Sequence, residues 1–402
     1  MPPPDSVPLL PPPPPPPGAP GSTREPLSKR IARALFRVLD PTSNGTRVTT
    51  TTLNLRVALS DLPSESATES STSDTTSTTD HMRIVFLSDI HFNGAAGGPA
   101  TSGGTFACAP GTLVQSAVDA VNAADADVVL LGGDLVDGDG GCARELADRY
   151  LAQLRARCGI WAVLGNHDQF LPGARTALVH ALHTAGIAVL DNAVVRPLPH
   201  LEIVGLGDVT TPGDFCPDAA FSPEDTPPAP LPSAPLHSVR VPEDARGIYS
   251  PRVAVGGRSA AGAAGTRGLA HCRVVVTHSP DAAPQLMGHA AHLQLSGHTH
   301  GGQVCLPTAA RRPVAAWLYE DCGACCGGAV RTRVWPVYRS FAHWEWVHGL
   351  HLLFCGDPAP ETTRFLYVTR GIGSHTPGRF FCPPEVVVVN IETVYSSEES
   401  VK

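Results

Sequence analysis

Five apolar runs in this chain each end in a side chain that can ligate a metal ion, and no other feature constrains the fold as tightly. R-I-V-F-L-S-D-I-H supplies Asp89 and His91, and V-V-L-L-G-G-D supplies Asp134. W-A-V-L-G-N-H-D supplies Asn166, His167 and Asp168, V-V-V-T-H supplies His278, and L-Q-L-S-G-H-T-H supplies His298 and His300. Runs of four to eight apolar residues read as buried strands. Strand-like runs fall at 46–62, 83–87, 128–131, 161–164, 203–206, 273–277, 293–295, 365–369 and 386–391, with helical periodicity at 112–123, 143–157 and 174–185. Such alternation predicts an α/β domain. Open α/β sheets place their sites at the carboxyl ends of strands. In D-x-H and H-x-H, residues i and i+2 of an extended chain point to the same side, so each pair is expected to reach one ion.

Mixed imidazole and carboxylate donors suit Mn, Fe, Zn or Ni rather than a soft thiolate site. Seven such ligands exceed what one ion takes. They suit two ions sharing a carboxylate, the arrangement used for in-line attack on phosphorus.

The order D-x-H, G-D-x-x-D, G-N-H-D, a lone H and then G-H-x-H resembles the calcineurin-like metallophosphoesterase superfamily. That resemblance implies a four-layer α/β/β/α sandwich of two mixed sheets. Position by position, it implies Asp89, His91 and His300 on a first metal and Asn166, His278 and His298 on a second, with Asp134 bridging them. His167 would face the scissile phosphate without binding metal, and Asp137 would orient a ligand. The implied chemistry is hydrolysis of a phosphomonoester, phosphodiester or pyrophosphate by a hydroxide between two divalent cations. The same fold also serves as a catalytically inactive binding or scaffold module; the intact ligand set and His167 weigh against that alternative.

Gly138 stands where protein Ser/Thr phosphatases carry an arginine, and the third block ends in Asp168 rather than Glu. The run L-Y-V-T-R-G-I-G-S-H-T-P-G-R-F-F-C-P-P-E, after G-H-T-H-G-G-Q, instead resembles bacterial phosphoesterases acting at or near membranes. That branch includes UDP-diacylglucosamine pyrophosphatases, and it implies a small-molecule or lipid-linked phosphoester substrate. In this run Arg370, His375 and Arg379 are read either as phosphate contacts or as loop braces. Three departures from the branch stand out. A proline-rich leader and a basic helix replace the usual membrane anchor, a Ser/Thr-rich insertion sits in a hairpin before Met82, and the stretch between Gly207 and His271 is long.

The expected organisation is a disordered leader with an amphipathic basic helix at 27–40, all within 1–45, then one phosphoesterase domain over 46–395 and a tail at 396–402. Insertions fall at about 63–80 and 210–270. The helix at 27–40 offers peripheral membrane contact or targeting, or else packs as a solvated surface helix. A net charge of −8 gives no footprint for nucleic acid. Eleven cysteines, an odd number scattered along the chain, do not form a disulfide framework and point to a reducing compartment. The expected location is therefore cytoplasmic, at a membrane surface or in an organelle if the basic helix targets it. Cys322, Cys325 and Cys326 read as a loop thiol cluster. His180, His183, His200, His237, His289 and His292 read as surface or packing residues.

Overall fold

The fold is a computed structural model that describes residues 40, 47–60, 79–94, 111–137, 140–221, 236–241, 271–307, 314, 342–355, 364–374 and 378–396. The proline-rich leader, the 27–40 helix apart from Asp40, the Ser/Thr-rich insertion up to residue 78, the Cys322–Cys326 cluster, His375 and the tail beyond Ser396 lie outside the described residues.

The first five strands are β1 (Thr49–Ser60), β2 (Thr79–Leu87), β3 (Val128–Gly132), β4 (Gly159–Val163) and β5 (Ala188–Val189). They are followed by β6 (Ala193–Leu198), β7 (Leu201–Gly205), β8 (Leu236–Arg240), β9 (Cys272–Val276), β10 (Leu293–Ser296), β11 (Gly349–Cys355), β12 (Arg364–Val368) and β13 (Glu385–Ser396). Two mixed sheets result, ordered β1-β13-β2-β3-β4-β5 and β6-β7-β9-β10-β12-β11-β8. Helices α1 (Gly111–Ala123), α2 (Gly140–Arg149) and α3 (Ala174–Thr184) connect the strands of the first sheet.

Period-two alternation decides the layers. In β2, Val85 and Leu87 face the helices together with Val129 and Leu131, and Leu113, Leu146 and Leu178 close over them. Ile84 and Phe86 point the other way and meet Ile203, Val274, Leu293 and Leu295 of the second sheet. The outer face of that sheet is covered by a thinner layer. There Leu286 packs on Val204 and Val275, and Trp346 on Leu366 and Val368. The expected four-layer α/β/β/α sandwich is what forms. Strands β3, β7, β9, β10 and β12 are buried throughout, which is why they read as mostly apolar rather than alternating runs.

Two sequence expectations need correction. Strands β1 and β2 do not form a hairpin. Strand β13 lies between them, parallel to β1 and antiparallel to β2. The helix expected at 143–157 ends at Arg149 and is followed by a 3-10 turn, Leu151–Gln153. Beyond it, the amides of Arg155 and Arg157 turn to the Asn122 side chain and the Ala126 carbonyl on the way into β4. Within the insertion at 210–270, which reads as mostly loop, a strand absent from the sequence reading also forms: β8 pairs antiparallel with β11 at one edge of the second sheet.

Candidate metal centre

The candidate ligands gather just beyond the carboxyl ends of β2, β3, β4, β9 and β10. Loop-to-loop backbone bonds join the first two groups. Asp89 N donates to Gly133 O at 3.0 Å and His91 N to Asp134 O at 2.9 Å. The reason the D-x-H and H-x-H pairs converge differs from the expected one. Asp89, His91, His298 and His300 lie outside the strands, with φ of 54°, 48°, 68° and 52°, and Asp134 has φ of 50°. A left-handed turn at each residue, rather than alternation along an extended chain, brings i and i+2 together. Five of the nine non-glycine residues with positive φ among the described residues belong to this cluster. That conformation costs each side chain on the order of 1–2 kcal/mol. Strain concentrated in this way marks a site maintained by its surroundings.

Two glycines make the close approach feasible. A Cβ on Gly165 would stand 2.1 Å from Asp134 Oδ1, and one on Gly297 would stand 2.2 Å from Asp89 Oδ2.

The donor atoms form three overlapping groups, each with all members within 4.8 Å: Asp89, His91 and His300; His91, Asp134 and His167; Asp134, His278 and His298. Asp134 is central, with Oδ2 lying 3.6 Å from His91 Nε2 and 3.1 Å from His278 Nε2. Its Oδ1 accepts from His167 N at 2.9 Å. Asp89 Oδ1 accepts from His298 N at 2.9 Å.

Surrounding acceptors set the tautomers. His278 Nδ1 donates to Gly132 O at 2.8 Å and His300 Nδ1 to Gly373 O at 3.4 Å. Asp137 Oδ1 accepts from His91 Nδ1 at 2.9 Å and from His167 Nδ1 at 2.5 Å. The Nε2 lone pairs of His91, His278 and His300 therefore face inward. Those of His91 and His300 confront each other at 2.9 Å. That of His278 confronts a carboxylate oxygen. Asp89 Oδ2 and Asn166 Oδ1 are buried with no hydrogen-bond partner. Such acceptors repel one another unless a proton or a cation lies between them. The donor set thus fits a divalent metal centre.

The electrostatics say the same. Burial pulls the His91 imidazolium down, but the carboxylates of Asp137, Asp134 and Asp89 outweigh it and hold its pKa at about 9. Burial also opposes the charged forms of His278 and Asp134. Their mutual attraction wins, so His278 is raised well above the ordinary histidine value and Asp134 falls well below the carboxylate range. Asp137 is lowered too, His91 and His167 overcoming its burial. Without cations His91 and His278 hold protons, which a bound metal must displace.

Asp168 does not face the cluster's nitrogens. Its carboxylate accepts from the amides of Leu135, Val136 and Gly165 and so joins the Asp134 loop to the Asn166 loop. Arg370 and Arg379 are buried braces rather than phosphate contacts. Arg370 pairs with Glu385 at 3.1 Å, and Arg379 donates to the carbonyls of Arg370, Gly373, His300 and Cys382. One residue was missed at sequence level. Asp208 is buried, its Oδ2 accepts from Thr211 Oγ1 at 2.9 Å, and its Oδ1 has no partner. Its charge favours the cationic form of His278. The signal was available, because L-E-I-V-G-L-G-D is another apolar run ending in an aspartate.

The model of the calcineurin-like phosphoesterase family matches residues 82–302, which include every one of these side chains except the braces at 370–385. The chain belongs to this family. Among its relatives, Phosphodiesterase YaeI of Escherichia coli is 25% identical over 314 residues, covering 77% of this chain and 82% of the relative. UDP-2,3-diacylglucosamine pyrophosphatase LpxG of Chlamydia muridarum is 22% identical over 362 residues, covering 77% and 83%. A Danio rerio transmembrane protein with a metallophosphoesterase domain is 32% identical over 119 residues, covering 29% of this chain and 24% of the relative. Among the described residues of this metallophosphoesterase, no helix is long and apolar enough to cross a membrane.

Proposed function

We propose that this metallophosphoesterase hydrolyses phosphodiester or pyrophosphate bonds, with a lipid-linked ester as the favoured substrate class and residues 46–395 as one catalytic domain. In this reading Asp89, His91 and His300 hold one divalent cation, Asn166, His278 and His298 hold a second, and Asp134 serves both. Two cations so held would supply Lewis acidity and activate water for in-line attack on phosphorus. The observation that carries the proposal is the convergence of buried imidazole nitrogens and carboxylate oxygens, above all His91 Nε2 at 2.9 Å from His300 Nε2 and Asp134 Oδ2 beside both His91 and His278. The names of YaeI and LpxG support the bond types, and that of LpxG supports the lipid link.

His167 does the proton work. Its Nδ1 is committed to Asp137 Oδ1, so Nε2 is the nitrogen left to give a proton to a leaving oxygen. Asp137 fixes the ring's orientation. That intact pair favours an enzyme over an inactive module.

The test uses the purified full chain loaded with Mn²⁺ and assayed on bis(4-nitrophenyl) phosphate, with elemental analysis alongside. Hydrolysis should stop on chelation. His167→Ala should lose about 100-fold or more in kcat while keeping its metals. Asp134→Asn should lose both metals, and Asp89→Asn chiefly one. No turnover with Mn, Fe, Zn or Ni overturns the hydrolase reading. Equal metal retention by the two aspartate variants overturns the shared-ligand assignment.

A further inference from the structure

The candidate centre is closed on most sides. Asp89, His91, Asp134, His278, His298 and His300 are all buried, whereas Asn166 and His167 are half-buried. Access therefore runs over the turn that carries Asn166 and His167. The outermost residue of that turn is Phe170, whose side chain is 63% exposed. Among the described residues, the other exposed large hydrophobics are Val194 and Val239, on β6 and β8 of the second sheet. Phe170 alone of the three stands at the centre. Its ring lies 4.6 Å from the His167 ring, centroid to centroid, tilted by 46°.

The ring is presented from a fixed support. Phe170 N donates to His167 O at 3.4 Å, closing the 3-10 turn His167–Gln169. Gln169 is held by Asp214 Oδ2 at 3.1 Å and by Arg175 at 2.7 Å, and Arg175 also pairs with Asp214 at 2.9 Å. Asp168 is clamped by three backbone amides. An aromatic ring this exposed contributes little to the core. A single exposed apolar side chain needs no explanation on a general surface, but this one touches the imidazole that faces the leaving oxygen.

We infer that Phe170 forms an apolar subsite for the leaving group, so that the preferred substrate carries an aryl ring or an alkyl chain on the oxygen that His167 protonates. This rests on the reading of His167 given under Proposed function and narrows its substrate class. A group attached to that oxygen must lie beside His167 and thus against the open face of Phe170. Covering that face with apolar surface is worth about tenfold in affinity.

The test is calorimetric binding of three non-hydrolysable probes, methylphosphonate, phenylphosphonate and hexylphosphonate, to the Mn²⁺-loaded full chain. Wild type should bind the phenyl or the hexyl probe about tenfold more tightly than the methyl probe, and whichever gains identifies the apolar group as aryl or alkyl. Phe170→Ser should abolish the advantage, and Phe170→Leu should retain it for an alkyl group and reduce it for an aryl one. Equal binding of the three probes by wild type, or an undiminished advantage in Phe170→Ser, overturns the subsite. Turnover of bis(4-nitrophenyl) phosphate by the same wild-type sample is measured in parallel. Its absence overturns the hydrolase reading, separately from the binding result.

Discussion

Replacing Arg379 by lysine tests how the centre is held from outside. The buried guanidinium donates to Arg370 O at 2.6 Å, Gly373 O at 3.0 Å, His300 O at 3.2 Å and Cys382 O at 3.3 Å. Gly373 O also accepts from His300 Nδ1, and Gly373 N donates to Asp89 O at 2.6 Å. One planar fork thus ties the backbone of His300, the atom that sets the His300 tautomer and the turn that holds Asp89. Lysine keeps the charge but offers three donors from a single point. Three donors cannot serve four carbonyls, so at least one loses its bond, at a cost of ~1–3 kcal/mol for a buried acceptor left unsatisfied. Urea unfolding of the chelated protein should show that loss. Elemental analysis after Mn²⁺ loading should show about one equivalent retained, because His278 is anchored elsewhere, on Gly132 O. Two full equivalents together with stability within about 1 kcal/mol of wild type would refute the reasoning.

Three further outcomes are expected. Asp137→Asn should lower kcat/KM about 100-fold without unfolding the protein, since one carboxylate oxygen orients both His91 and His167; steady-state kinetics checks this, and a change under threefold would contradict it. Gly165→Ala should cost both metals, because the added Cβ would sit 2.5 Å from Asp134 N as well as 2.1 Å from its carboxylate; metal content measures it. Stability should fall in acid through His292, whose pKa burial and the Arg273 guanidinium hold at about 4. The unfolded chain takes up that proton first, so this contribution is complete above about pH 6.5 and disappears as pH falls towards 4, by up to about 3 kcal/mol. Urea midpoints across that window for wild type and His292→Asn should differ in slope, and parallel slopes would exclude the effect.

Much of this architecture was legible because burial on both faces leaves mostly apolar runs, V-V-L-L-G of β3 and V-V-V of β9 above all. The candidate ligands were legible because each such run ends in a polar group. Their geometry was not. Whether His91 joins Asp89 through an extended chain or through two left-handed residues depends on the neighbouring loops, and Gly133 and Gly165 reveal that only when packed together. The hairpin expected before Met82 failed for a different reason. Adjacency along the chain favours pairing, but the V-V-V-V run of β13 is buried and can sit between two strands. Strand β8 was hidden because L-H-S-V-R, in a proline-rich insertion, is an edge strand with only partial burial. Arg379 looked equally suited to phosphate or to carbonyls, and the choice turned on which backbone oxygens needed a donor.

The position of β13 bears on how the molecule is made. Thr49 bonds to Pro384, 335 positions away, and β1 and β2 both pair with β13 rather than with each other. During synthesis the first two strands therefore emerge without their main partner, and must wait for nearly the whole chain before that sheet can close. The arginine that braces His300 and the turn that holds Asp89 arrive in the same late stretch. A shortened product ending between His300 and Arg379 would keep every candidate metal ligand and still lack the strand and brace that hold them. Slow, non-local closure of this kind makes β13 a checkpoint that only copies extending through it pass.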